Sequence, residues 1–160
     1  MKKVSFMPQL VKGGKYVFGW SEIRERGKIT IPEEAYFEYK FNKDKKGILM
    51  SGSKTSGCFG LSSYRLIKNS SIGKILDKFP ELINYSLEEG EIIKIQEKIY
   101  CWTIISKDKS FLISESTLKS FKIEVNRKLL VGRGSGLALS FIAKGTIYEE
   151  AEKHDQLPIY

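Results

Sequence analysis

The chain has few of the residues that build metal centres, disulfide frameworks and His-dependent catalytic sites. Its 160 residues include two cysteines and one histidine. Cys58 and Cys101 lack CxxC spacing, so we predict small buried side chains in a reducing compartment rather than a metal site. His154, the single histidine, lies near the predicted end of the last helix, where a helix-end or surface role is favoured over catalysis. No carboxylate pair stands out from the general charge pattern. We therefore expect no enzyme activity, no metal and no cofactor.

Long apolar runs are also missing. No run approaches the length of about 18 residues that a transmembrane helix needs, and no signal-peptide core follows the basic N-terminus. We therefore expect no membrane association and a soluble, cytoplasmic protein. Apolar residues make up 41% of the chain and aromatic residues 12%, which is enough to bury a core. The length suits one domain, or two small halves that share a core.

The chain has fewer acidic residues than basic residues. The chain has 27 Lys and Arg against 19 Asp and Glu, a net charge of +8. The excess is greatest over residues 1–28, where seven Lys and Arg accompany two Glu. This balance favours an acidic partner such as nucleic acid or an anionic surface. A solvated lysine-rich surface explains the charge equally well, so charge alone does not decide.

The strongest pattern in the sequence is an internal repeat, in which the stretch around Trp20 recurs around Trp102. Between the pairs Val17/Ile99 and Ser53/Ser135, eight of 37 aligned positions are identical without a gap. The identical pairs are Trp20/Trp102, Ile23/Ile105, Ile31/Ile113, Glu33/Glu115, Lys40/Lys122, Lys46/Lys128, Gly52/Gly134 and Ser53/Ser135. Two copies are too few for a solenoid and suit a pseudo-twofold fold in which each copy supplies half of a core. We expect the two tryptophans to be equivalent core residues rather than platforms for stacked bases.

Each copy predicts the order strand, turn, strand, short helix, strand, turn, strand, helix. In the first copy Gly27 permits a tight turn, and Pro32 opens a helix with Glu33 and Glu34 at its positive end. We therefore expect a mainly β protein with short helices, of the α+β class. The predicted divisions are an N-terminal arm over 1–14, a first repeat over 15–62, a helical linker over 63–96, a second repeat over 97–145, and a C-terminal helix and tail over 146–160.

Several local predictions concern the linker and the second copy. The stretch Asn69-Ser70-Ser71 is expected to cap a helix with its apolar face at 72, 75, 76 and 79, and residues 91–105 are expected to form a long strand region that contains the second tryptophan strand. Ser114 is expected to cap the second short helix, and Thr146 with Glu149 to form a capping box. The turn over 133–136 is four residues shorter than its counterpart if residues 59–62 match 137–140.

The phrase Arg26-Gly-Lys-Ile-Thr-Ile-Pro-Glu-Glu34, set before a short helix, resembles the AbrB/SpoVT/MazE superfamily of swapped-hairpin DNA-binding domains. That family's signature is a basic residue after a turn glycine, a short β-branched strand, Ile-Pro and an acidic helix start; residues 20–37 carry it. The duplication is similar to the MraZ branch, which also fuses two such units. The resemblance implies that the two repeats exchange hairpins and close one small pseudo-twofold β-barrel within the chain.

The resemblance also implies a DNA-contacting role for the basic residues that flank the first turn. These are Arg24, Arg26 and Lys28, with Lys107 and Lys109 as a weaker second set. Arginine offers a planar fork to phosphates and guanine edges, lysine offers a point charge, and a strand hairpin fits the major groove of double-stranded DNA. The alternative is that the first three cations pair with neighbouring glutamates on a solvated hairpin.

The second copy departs from the signature. Lys109 replaces the turn glycine, Ser110 stands where the first copy has Lys28, and Ser114 stands where it has Pro32. The first copy is therefore the better candidate for reading DNA. One competent half would bind weakly alone, and a homo-oligomer would restore affinity through multivalency.

A glycine-rich stretch, Val131-Gly-Arg-Gly-Ser-Gly136, is a second candidate site because such a turn exposes backbone N–H groups to an anion. It lacks the Gly-Lys-Ser/Thr of a P-loop and opens no helix, so a hairpin turn is the favoured interpretation. Arg133, Gly134 and Ser135 remain a candidate ligand turn.

Three functions stay open. The first is a DNA-binding transcriptional regulator. The second is a non-catalytic protein-interaction or antitoxin-like module on the same barrel, and the third is a small-ligand sensor that uses the Arg133 turn. The first two differ in whether Arg24, Arg26 and Lys28 lie on one exposed basic face, or are paired off while an apolar patch is exposed.

Overall fold

The computed structural model describes residues 17–52, 57–123 and 127–160. It has nine strands and six short helices in these ranges. In chain order they are β1 (Val17–Glu22), β2 (Lys28–Thr30), α1 (Glu33–Glu38), β3 (Lys46–Ser51), β4 (Phe59–Ser62), α2 (Tyr64–Ile67), α3 (Ser71–Leu76), α4 (Pro80–Ile83), β5 (Ile93–Ile95), β6 (Lys98–Ile104), β7 (Ser110–Leu112), α5 (Glu115–Ser120), β8 (Lys128–Ser135), β9 (Ala138–Ile142) and α6 (Thr146–Glu152). The protein is therefore mainly β with short helices, as predicted. The arm predicted over 1–14 lies outside the described residues.

Four elements of the first half have counterparts at the aligned positions of the repeat. β2 and β7 begin at Lys28 and Ser110, and α1 and α5 begin at Glu33 and Glu115. β3 and β8 begin at an aligned pair of lysines, and β1 corresponds to β6. The same local signals, a turn followed by a short strand and an acidic helix start, thus give the same elements in both halves.

Seven strands form one antiparallel sheet in the order β1-β8-β9-β4-β3-β6-β5, and β2 pairs with β7 in a separate two-stranded ribbon. The first strand of each half pairs with the third strand of the other half. Trp20 lies opposite Leu130, and Trp102 lies opposite Ile48 in the matching register. Each half therefore completes the sheet of the other, and neither has its own full set of strand neighbours.

The sheet is open, and its hydrogen bonds close no barrel among the described residues. The free edge of β1 is covered by the end of the chain, where the Trp20 N–H donates to the Pro158 oxygen and the Tyr160 N–H donates to the Trp20 oxygen, both at 2.8 Å. The outer edge of β6 is covered by β5. The predicted closed barrel is therefore wrong for these ladders, because added segments occupy the edges that closure would join.

The main core lies between the halves. Phe59 stacks on Phe141 with ring centroids 5.0 Å apart and on Phe121 at 5.4 Å, and Phe111 meets Phe59 edge-on. All four rings are buried, and they come from both halves. Burying an aromatic side chain contributes about 3–5 kcal/mol by the cost of its truncation to alanine. This shared stack therefore couples the stability of one half to the other.

A second apolar cluster lies where the linker packs on β6. Trp102 is 7% exposed, and its indole N–H donates to the Leu87 oxygen at 2.8 Å. Tyr85 meets its ring edge-on, and Leu76 and Leu82 of the linker helices are fully buried in the same cluster. The linker helices therefore pack against the sheet and bury the side chains on that face of β6.

The second hairpin differs from the prediction. Ile48 pairs with Ser62 in the first half, and Leu130, the equivalent of Ile48, pairs with Ile142 in the second. Ser62 of β4 therefore corresponds to Ile142 of β9. The turn of the second hairpin is shorter than that of the first by two residues, and not by the four that the sequence alignment predicts. β8 also continues to Ser135, with a register shift after Arg133, so the turn occupies only residues 136–137.

Two further predictions need correction. Residues 91–105 form two strands and not one, because Gln96 adopts a left-handed conformation (φ 57°) and reverses the chain between β5 and β6. The first turn of α6 is preceded by Gly145 and has no side-chain cap, so the predicted Thr146 capping box is wrong.

The cap predicted within Asn69-Ser70-Ser71 is Ser70, whose hydroxyl accepts the Gly73 N–H at 3.2 Å. The predicted cap Ser114 is confirmed, because its hydroxyl accepts the Thr117 N–H at 3.1 Å. α3 ends at Leu76, before the predicted apolar stripe does, because Pro80 begins a separate helix.

Candidate nucleic-acid interface

The two turns that precede β2 and β7 have the same backbone hydrogen bonds. The Gly27 N–H donates to the Arg24 oxygen at 2.9 Å, and the Lys109 N–H donates to the Ser106 oxygen at 3.0 Å. Because β2 and β7 run antiparallel, these turns lie at opposite ends of the ribbon. The predicted basic residues therefore divide into two separate groups, one at each end.

The first turn requires glycine at position 27 because the Ile113 backbone lies too close for a side chain, and not only because of the positive φ. Gly27 has φ 75°, and a Cβ there would lie 1.8 Å from the Ile113 oxygen. The Gly27 oxygen in turn accepts the Ile113 N–H at 3.0 Å. Lys109, at the equivalent position, adopts φ 64°. The second copy therefore keeps the turn geometry without glycine, at a cost of roughly 1–2 kcal/mol for a left-handed lysine.

The first group extends from the turn into β2. Arg24 is exposed, and its guanidinium donates to the main-chain oxygen of Tyr160 at 2.8 Å. Arg26 is exposed at φ 64°. The Lys28 ammonium lies 2.9 Å from the Asp108 carboxylate of the second turn. In the described residues no ion pair joins these cations to the adjacent Glu22 or Glu25. The ion pair that does form, between Lys28 and Asp108, links the two halves.

The second group is more extensively engaged. Lys107 is exposed, whereas the Lys109 ammonium lies 3.8 Å from Glu33 and above the rings of Tyr36 and Phe37 at 5.8 and 5.6 Å. The Ser110 hydroxyl and the Lys28 ammonium beside Asp108 lower the pKa of that carboxyl. The carboxylate is therefore held in its charged form, as a fixed partner for the first group.

Carboxylates alternate with the cations around both turns. Glu22, Glu25, Glu33 and Glu115 are all exposed there, in addition to Asp108. No ion pair or side-chain hydrogen bond involves Arg26 or Lys107 within the described part of the chain. The described surface around the two turns is therefore of mixed sign and not one uniformly basic face, with one uncommitted cation at each end of the ribbon.

The predicted ligand turn is part of a strand. Arg133 lies in β8, and its Nε and Nη2 donate to the two carboxylate oxygens of Glu38 in α1 at 2.6 and 2.7 Å. A Cβ at Gly134 would lie 2.3 Å from the Ser140 hydroxyl oxygen, so this glycine permits close strand packing. The backbone of Ser135 ends β8 opposite Ala138. The guanidinium is thus already committed within the chain, and the small-ligand interpretation of this stretch loses its main donor.

The two tryptophans are buried, as predicted, each beneath a lysine. Lys128 lies 4.1 Å above the centre of the Trp20 ring, and Lys46 lies 4.8 Å above that of Trp102. Trp20 is 3% exposed, so neither ring presents a free face to a base. The lysines shield the indoles from solvent through cation–π contacts.

The cysteines differ in environment. Cys101 is buried, and burial, followed by the charge of Glu89, raises the pKa of its thiol to about 12. Cys58 is half-buried. No group of three or more histidine, cysteine or carboxylate side chains comes together across the described ranges.

Comparison of the chain with protein-family profiles and with curated proteins gives no match. The longest helix among the described residues has seven residues, and none is long and apolar enough to cross a membrane.

Proposed function

We propose that this protein is a double-stranded-DNA-binding transcriptional regulator of the AbrB/SpoVT type, built from two tandem swapped-hairpin repeats. The observation that carries the proposal is the exchange of strands between halves, with β1 on β8 and β6 on β3 in matching register. A tandem repeat that aligns Trp20 with Trp102, and hairpins exchanged around a shared ribbon, are what the resemblance implies for this family.

The first turn supplies the DNA-contacting groups in this proposal. Arg26 is exposed and uncommitted, and Arg24 is exposed with its guanidinium held against the end of the chain. Lys28 reaches DNA by leaving Asp108, an exchange that costs little because exposed ion pairs contribute about 0–1 kcal/mol. Lys107 and Lys109 form the weaker second contact. The protein acts as a homo-oligomer, which adds the weak contacts of several copies.

The test is binding of the full chain to a labelled duplex from the promoter of its own gene, measured at several salt concentrations. We expect binding that weakens steeply with salt, because each phosphate contact adds about 0.9 to the log–log slope. The variant Arg24→Ala/Arg26→Ala/Lys28→Ala is expected to bind roughly tenfold or more weakly, with a shallower slope.

A matched control removes the same charge elsewhere. Lys68, Lys74 and Lys78 are exposed lysines of the linker, and their triple alanine variant loses three positive charges as well. It is expected to keep nearly all of the affinity. Equal losses in both triple variants, or binding no tighter than that of an equally basic unrelated protein, would show that the first turn does not recognise DNA.

A second candidate function, a protein-interaction or antitoxin-like module, is favoured by the mixed charge of the ribbon surface. Four large apolar side chains are also exposed among the described residues: Phe37 in α1, Ile104 in β6, Leu112 in β7 and Ile159 in the tail, at 51, 45, 53 and 58%. The DNA experiment separates the two functions, because an interaction module has no salt-steep affinity for the duplex. Its own signature is a partner whose affinity falls when Phe37 and Leu112 are replaced by serine.

A further inference from the structure

A groove of about 550 Å³ opens beside the β3–β4 turn, and none of the cations assigned to DNA lines it. Among the described residues, its charged lining consists of Lys94, Lys122, Arg127 and Lys144 with one carboxylate, Glu97. Across residues 17–52, 57–123 and 127–160, none of these four cations takes part in an ion pair. A concave surface lined by unpaired charges of one sign concentrates counter-ions, here anions.

Arg127 is the most firmly held of the four cations. Its Nη2 donates to the main-chain oxygen of Ala143, and its guanidinium lies 5.3 Å from the centre of the Tyr148 ring. Its Nε is buried and has no hydrogen-bond partner among the described residues. Buried donors without an acceptor are uncommon in folded proteins. The contacts with Ala143 and Tyr148 therefore hold the Arg127 guanidinium in place.

The corresponding place in the other half is closed by an ion pair. Arg133 of β8 binds Glu38 of α1 there with two hydrogen bonds. In the alignment of the repeat, the equivalents of Arg133 and Glu38 are Ser51 and Ser120, and both serines line the groove. Two short hydroxyls thus stand where the other half has a guanidinium and a carboxylate.

A third difference lies at the same place. The Tyr39 hydroxyl donates to the Ala138 oxygen at 3.1 Å and so ties α1 to the start of β9. Phe121, the equivalent of Tyr39 in the second copy, lines the groove and has no hydroxyl with which to make this bond. The groove therefore lies where the two halves differ at these three aligned positions.

We propose that this groove binds a small ligand carrying two or more phosphate groups. Among the described lining residues, four cations against one carboxylate match a polyanion, and phosphate oxygens accept hydrogen bonds from guanidinium and ammonium donors. Ile99, Phe121 and Ile123 supply apolar surface for the rest of the ligand. The volume lies within the range of about 300–1,000 Å³ that is usual for small-molecule sites. The proposal is independent of DNA binding by the first turn.

The experiment measures binding of pyrophosphate and of ATP to the full chain by calorimetry. A built-in reporter is the half-buried Cys58, which lines the groove, whereas Cys101 is buried elsewhere in the core. Bound ligand is expected to slow the reaction of Cys58 with a thiol reagent. A short DNA duplex serves as the other source of phosphate, and we expect it to leave Cys58 reactivity unchanged.

Two variants test the assignment. Lys122→Ala/Lys144→Ala is expected to weaken pyrophosphate binding by roughly tenfold or more, as the loss of two nearby cations requires. Its control, Lys74→Ala/Lys78→Ala, removes the same charge from exposed positions outside the groove and is expected to bind normally.

Ser51→Arg/Ser120→Glu transfers the closing ion pair into the groove without changing net charge, and it is expected to abolish binding. Circular dichroism shows whether this variant folds, and the lysine variants decide the matter if it does not. The proposal is overturned if millimolar pyrophosphate and ATP give neither heat nor protection, if the lysine and control variants bind alike, or if only DNA protects Cys58.

Discussion

Replacing Gly27 by alanine tests the geometry of the first turn most directly. The new Cβ would lie 1.8 Å from the Ile113 oxygen, far inside contact distance, while φ stays at 75°. A left-handed residue with a side chain costs about 1–2 kcal/mol, and forcing the backbones apart costs about 1–3 kcal/mol more. The displaced Ile113 N–H bond to Gly27 adds about 1 kcal/mol. We therefore expect Gly27→Ala to lower the free energy of unfolding by about 4 kcal/mol.

The assay is urea unfolding followed by tryptophan fluorescence, with Gly136→Ala as the matched control. A Cβ at Gly136 meets no atom within 4 Å, so this substitution is expected to change stability by less than about 0.5 kcal/mol. Lys109 takes up the same left-handed conformation at the equivalent position, so conformation alone does not demand glycine. A loss below about 1 kcal/mol in Gly27→Ala would refute the reasoning, because strain alone accounts for that much.

Two further predictions concern backbone strain and thiol burial. Lys40 follows α1 at φ 58°, the left-handed position that glycine favours after a helix, so Lys40→Gly is expected to raise the free energy of unfolding by about 1 kcal/mol in the same assay; no gain would contradict the assigned conformation. At pH 8 one thiol, Cys58, is expected to react in the native protein, and Cys101 only after unfolding. Because the folded pKa of Cys101 is raised from 9.0 to about 12, its contribution to stability is full below pH 9 and is lost as pH rises towards 12. A Cys101→Ser variant should lack that part of the pH dependence, and rapid native reaction of both thiols would contradict the burial.

Local signals made much of the fold predictable. The internal repeat predicts the order of the elements, and Gly27 at a turn and Ser114 at a helix start each act over a few neighbouring positions. The elements that these signals predict are present. The boundaries agree closely because capping and turn chemistry are local. The predicted length of the second turn is wrong because it depends on the register of β8 on β9, and no local signal in the sequence fixes that register.

Long-range partners were not predictable from the sequence. Arg133 and Glu38 are 95 positions apart in the sequence. They meet because the fold places β8 of the second half beside α1 of the first half. Lys28 finds Asp108 for the same reason. The charge pattern of the sequence does not reveal which carboxylate lies beside Arg133 or Lys28 in the folded protein, so either cation resembles a free ligand group until the topology is known.

Two features of the backbone also escaped prediction. Gln96 reverses the chain with a positive φ that gives no signal in a residue other than glycine, so the β5–β6 hairpin looked like one strand. The closed barrel failed for a different reason. The resemblance covers neither β5 nor the tail at Pro158, and these are the segments that occupy the edges of β6 and β1.

The exchange of strands has a consequence for the order in which the molecule can be made. Among the described residues, the strand-pairing main-chain hydrogen bonds of β1 go to β8 and to the tail over 158–160, both of which are synthesised long after it. During synthesis the first half therefore leaves the ribosome with open strand edges and an aromatic core that lacks Phe111 and Phe141. Folding waits for the second half, and contacts so distant in sequence form slowly. Until the second half is made, the β1 and β3 edges of the growing chain are open to wrong pairing with the strand edges of a neighbouring chain.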